Sequence, residues 1–122
     1  RFRGAGPLRR ASICHCRMCQ KATGNLFAAF AEFDAPVEWT RGRPALFQSS
    51  AKVHRGFCSH CGTPLYNANP SSYPGMYMFF LGTVQEPADL VPGINIFCRS
   101  KLEWVDALSG QPSFSAAPQR RA

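Results

Sequence analysis

Three cysteines within six residues, Cys14-His15-Cys16-Arg17-Met18-Cys19, constrain this chain more than any other feature. Thiolates are soft, negatively charged ligands, and three so close repel one another unless a cation neutralises them, so Zn²⁺ is the first reading. The spacing also argues against disulfides. On a strand, Cys14 and Cys16 share one face, while Cys16-x-x-Cys19 is the tight turn that brings two sulfurs to one metal. A second pair, Cys58-Ser59-His60-Cys61, follows after 38 intervening residues.

The 122 residues suffice for one domain with a modest core, so a bound metal would matter to its stability. The longest apolar runs, Leu26–Ala31 and Met76–Leu81, hold six residues each, far short of the roughly 20 that a membrane helix needs. The start carries no secretory pattern, and clustered thiols without one point to a reducing, cytoplasmic compartment. The net charge of +7 is uneven: residues 1–31 hold six Arg or Lys, and no acid precedes Glu32. Such a basic neighbourhood suits an anionic small molecule, a nucleic acid or simply a solvated surface.

Pattern and punctuation predict a mainly β domain with short helical turns. Leu8–Cys14 reads as a strand delivering the first thiol, and Arg17–Ala22 as a helical turn ended by Gly24. Leu26–Phe33 and Val37–Thr40 read as strands. Ala45–Gln48 and Val53–Phe57 form hairpin arms, the second running into Cys58, with Gly62 supplying positive φ behind the knuckle. Thr63–Tyr66 returns from it, Asn67–Gly75 is a loop, and Met76–Leu81 is a core strand. A helical turn is expected over Glu86–Leu90, a strand over Ile94–Cys98 and helical spacing over Lys101–Leu108. The domain is placed at residues 1–110, with 111–122 as a flexible basic tail.

Two ligand arrangements fit the spacing. Cys16, Cys19, Cys58 and Cys61 could close one four-thiolate site with Cys14 spare, although the gap exceeds the usual ribbon interval of about 15–20 residues. Alternatively, Cys14, Cys16 and Cys19 form a three-thiolate site with an open fourth position, the arrangement of catalytic zinc.

The segments Ser12-Ile13-Cys14-His15-Cys16-Arg17-Met18-Cys19-Gln20-Lys21, Phe27-Ala28-Ala29-Phe30, Phe47-Gln48-Ser49-Ser50 and Arg55-Gly56-Phe57-Cys58-Ser59-His60-Cys61-Gly62-Thr63-Pro64-Leu65 resemble the glutathione-dependent formaldehyde-activating enzyme family, which includes the centromere protein V group. The resemblance runs from about Arg1 to Asp106. It implies an Mss4-like fold and a catalytic zinc on Cys14, Cys16 and Cys19. It also implies a structural zinc held partly by Cys58 and Cys61. The implied reaction is carbon–sulfur lyase or synthase chemistry joining glutathione, or another thiol, to formaldehyde as S-hydroxymethylglutathione. The alternative is a non-catalytic zinc module for a protein or nucleic-acid partner, although no aromatic-basic alternation or long basic helix supports nucleic acid.

The family's structural zinc takes two further ligands from an N-terminal Cys-x-Cys pair that this sequence lacks. Either the chain is a fragment, or Cys58 and Cys61 find substitutes such as His54 or His60, or that site is empty. Cys98 is expected to be a buried core cysteine. His15, alternating away from the ligands, takes a supporting or surface role, and Arg17, Lys21 and Arg55 read as solvated side chains that could hold substrate carboxylates. Phe27, Phe30, Trp39, Phe79, Phe80 and Trp104 read as core.

Overall fold

The computed structural model describes residues 1–34 and 36–118. Among the described residues, nine strands follow one another as β1 (Phe2–Gly4), β2 (Leu8–Cys14), β3 (Ala28–Asp34), β4 (Val37–Trp39), β5 (Ala45–Gln48), β6 (His54–Phe57), β7 (Pro64–Ala68), β8 (Met76–Phe80) and β9 (Ile94–Ile96). The α-helix α1 (Arg17–Thr23) lies between β2 and β3, and 3-10 turns cover Leu81–Thr83, Pro87–Asp89, Cys98–Ser100 and Glu103–Gly110. The fold is mainly β, as expected from the sequence. Seven strands form one sheet in the order β5-β6-β7-β8-β3-β2-β9, antiparallel except for the β2–β9 pair, while β1 and β4 form a separate antiparallel ribbon.

Pleat alternation gives the large sheet two distinct faces. On one, Tyr66, Ala68 and Phe79 are buried beneath the β1–β4 ribbon, which contributes Phe2, Val37 and Trp39. The Phe2 and Phe79 rings stack at 4.1 Å, and Trp39 lies 5.8 Å from Tyr66. On the other face, Phe30 and Phe80 pack with Ala28, Cys14 and Cys19. Burying each such phenylalanine stabilises by roughly 1.5–3 kcal/mol, so the two aromatic clusters are major contributors to the fold.

Several sequence expectations are corrected. Asn67 and Ala68 belong to β7 rather than to a loop, because β7 is hydrogen-bonded on both sides, pairing Asn67 with Arg55 and with Met78. The last strand stops at Ile96: Phe97 turns to φ +55° and the chain enters the Cys98–Ser100 turn. That leaves Cys98 exposed instead of buried. The helical spacing near the end forms the 3-10 turn Glu103–Gly110, with Trp104 51% exposed and outside the core. Residues 111–118 are exposed and without regular structure; residues 119–122 of the expected basic tail, with Arg120 and Arg121, lie outside the described residues.

Candidate functional site

The β2 strand ends at Cys14, and the chain turns through His15 and Cys16 into α1. Cys16 caps that helix in an extended conformation, its Sγ accepting from the Cys19 N–H at 3.3 Å. Gly24 ends the helix with φ +62°, its N–H bonding to the Gln20 carbonyl. The helix is short, and Gln20 fixes it: the buried amide Nε2 donates to His15 O at 2.8 Å and to Ser100 O at 3.0 Å. Cys14, Cys16 and Cys19 converge here, with their sulfurs all within 4.8 Å of one another, a group that could hold a metal ion.

Electrostatics separate Cys14 from Cys19. Cys14 is lowered from 9.0 to about 6, chiefly because Cys19 donates a hydrogen bond to its thiolate. Cys19 is raised by the same bond, then by burial and by the charge on Cys14. The cluster favours one negative sulfur whose neighbour keeps its proton, as expected of coupled like charges. A bound dication would let all ionise.

His15 is 1% exposed, which corrects the surface alternative; its Nε2 donates to Asn95 Oδ1 at 2.8 Å and its ring packs edge-on to Phe27. The ring therefore braces the cysteine turn from outside the sulfur group.

Cys58 and Cys61 form a separate knuckle at the end of β6. Gly62 N–H bonds to Cys58 O at 2.8 Å, Cys58 N–H bonds to Thr63 O at 2.9 Å, and Gly62 takes φ +76°. The Cys61 thiol is lowered by its hydrogen bond with Thr63 Oγ1 and further by one with Cys58. Among the described residues no third His, Cys, Asp or Glu forms a ligand group with this pair, while Cys16 and Cys19 group with Cys14.

A cavity of about 490 Å³ opens beside the three cysteines, within the range of about 300–1,000 Å³ typical of small-molecule sites. Cross-strand register builds its floor. Arg55 on β6 opposes Asn67 on β7, which opposes Met78 on β8, which opposes Glu32 on β3, which opposes Arg10 on β2. Glu32, 3% exposed, is held by Arg10 at 2.9 Å and by Ser12 Oγ at 3.4 Å. Arg17, which bonds to Gln20, lines the same cavity. Lys21 lines a neighbouring cavity of about 530 Å³, which Arg55 also borders.

Arg55 reads as solvated from its residue type, yet it is buried; Asn67 and Glu32 carry no sequence signal of a site role at all. Only the register exposes them, because each faces the cavity through its place in a cross-strand row.

A mostly β domain, with three thiols able to hold a metal beside a small-molecule cavity on one sheet face, defines the class. Within it, the profile of the glutathione-dependent formaldehyde-activating enzyme family matches residues 2–100, and the chain belongs to that family. A Rhodobacter sphaeroides protein of known crystal structure is similar in fold, with a TM-score of 0.56 and 22% identity over 74% of this chain and 87% of that one. No curated protein matches the sequence.

Proposed function

We propose that this chain is a zinc-dependent carbon–sulfur lyase or synthase that interconverts glutathione, or a related thiol, and formaldehyde with S-hydroxymethylglutathione. The observation that carries this reading is the group of three closely spaced thiols opening onto a ligand-sized cavity, in a chain that belongs to the family. Their soft donor set fits Zn²⁺, which Cys14, Cys16 and Cys19 would hold with no fourth protein ligand in the group. Bound there, Zn²⁺ would keep the sulfurs ionised and supply Lewis acidity to the reacting thiol or aldehyde. In the reaction the thiol sulfur bonds to the aldehyde carbon, the C=O π bond opens and the thiol proton ends on that oxygen; the reverse splits the adduct.

The protein's own residues set the surroundings. Three thiolates and a dication sum to a negative charge, which Arg17, Arg55 and Arg99 around the cavity offset while attracting an anionic peptide. Phe30, Met78 and Ile96 give the cavity an apolar wall. Cys58 and Cys61 would supply two ligands of a second, structural zinc site. Six cysteines without a disulfide are consistent with a reducing, cytoplasmic setting. No helix among the described residues is long and apolar enough to cross a membrane.

The test is direct. Zinc-loaded protein mixed with glutathione and ¹³C-formaldehyde should bring the adduct signal to equilibrium faster than buffer does, and Cys14→Ser should abolish the acceleration. Equal rates with wild-type protein and with buffer would refute the reading.

A further inference from the structure

Arg55 and Asn67 are the anomalous pair of the cavity. Arg55 is 9% exposed; its Nε donates to Ser49 Oγ at 3.0 Å, while its buried Nη1 has no hydrogen-bond partner. No carboxylate among the described residues pairs with it: the ion pairs are Arg3–Glu38, Arg9–Asp34, Arg10–Glu32 and Lys101–Asp106. Asn67, 5% exposed, leaves its Oδ1 equally unpartnered. The two are direct cross-strand partners, so they stand side by side on the cavity face, and both line the cavity that reaches the three cysteines. Buried polar groups are nearly always satisfied, and a buried cation without a partner is costly. An adjacent free donor and free acceptor in a cavity therefore mark a place for a ligand that supplies the missing partners.

We infer that Arg55 and Asn67 are the specificity-determining anchor for the end of the substrate remote from its sulfur: Arg55 takes a carboxylate and Asn67 Oδ1 accepts from an ammonium or amide N–H beside it. This rests on the proposed role of the cysteines as the reacting end. Three strands separate β6 from β2, where Cys14 sits, and at about 4.8 Å per strand the backbones lie roughly 19 Å apart along the sheet. A ligand with its sulfur at the cysteines and its anion at Arg55 is thus an extended, peptide-sized thiol. Cysteine, whose carboxylate lies next to its thiol, and cysteamine, which has none, are too short to engage both ends.

The experiment uses zinc-loaded protein and S-methylglutathione, which can bind but cannot react, titrated by calorimetry. Arg55→Met should weaken this ligand at least about tenfold, because a charge-assisted fork to a carboxylate is lost. Asn67→Leu should weaken it by a smaller factor. Esterifying the carboxylates of S-methylglutathione should reduce its binding to wild type by a larger factor than its binding to Arg55→Met, an arm whose wild-type half needs no variant. In turnover, Arg55→Met should lower kcat/KM for glutathione, through KM, by a larger factor than it lowers the rate with cysteamine. Zinc per chain should stay the same, and Tm should be equal or higher, because an unpaired buried cation has been removed.

Unchanged affinity in Arg55→Met, equal losses with glutathione and cysteamine, or a fall in zinc content or Tm would each overturn the anchor. If wild type accelerates adduct formation and binds S-methylglutathione while the variant does the same, the anchor alone fails. If wild type neither binds nor turns over glutathione, the reading of the reaction fails with it.

Discussion

At the scale of single residues, Cys14 and Cys19 differ in their readiness to ionise. The metal-free protein should contain one thiolate that titrates near pH 6, visible in ultraviolet thiolate absorbance and lost in Cys14→Ser. Because the Cys14 value is lowered from 9.0, the stabilisation it contributes is complete above that pH and is lost as pH falls through about 6. Cys19 is shifted upward by its bond to Cys14 and keeps its proton at neutral pH. Adding Zn²⁺ at pH 7 should therefore release about one proton or more per ion, measurable with an indicator in weak buffer. Binding with no proton release would contradict the coupled-thiol picture.

At the scale of elements, α1 is only seven residues long and depends on its ends. Gly24 closes it at φ +62°, and a Cβ added there would meet nothing within 4 Å, so Gly24→Ala costs backbone strain alone. A loss of about 1 kcal/mol is expected in urea denaturation, with weaker zinc affinity because Cys19 rides on this helix. This element was fully legible: a Cys-x-x-Cys turn, a short run and a glycine stop specify it locally. The strand Leu8–Cys14 was legible for the same reason, and its bounds agree with the structure. The strand state of Asn67 and the early end of the strand expected over Ile94–Cys98 were not legible, because they depend on partners distant in sequence. Two-sided pairing draws Asn67 into β7, while the left-handed turn at Phe97 ends β9 early. The Cys98 expectation fails with that strand, since a thiol past its end is no longer directed into the core. Arg55 misleads because composition says arginine is exposed, and only the β6–β7 register reveals the buried face.

At the scale of the whole molecule, the sheet separates stability from chemistry. One face is covered by the β1–β4 ribbon through Phe2, Trp39, Tyr66 and Phe79; the other holds the cysteines and the polar row. Phe2→Ala should lower unfolding stability by about 2–4 kcal/mol by removing the stack on Phe79, yet leave zinc content unchanged in the folded protein. Loss of zinc at full folding would mean that the two faces are coupled. The central claim is that Cys14, Cys16 and Cys19 form a metal site of their own, separate from Cys58 and Cys61. Zinc per chain, by elemental analysis of protein purified without chelator, tests it in wild type, Cys14→Ser and Cys58→Ser. The account predicts that Cys14→Ser loses about one equivalent and that Cys58→Ser keeps that equivalent. Retention of zinc in Cys14→Ser together with its complete loss in Cys58→Ser would contradict the account.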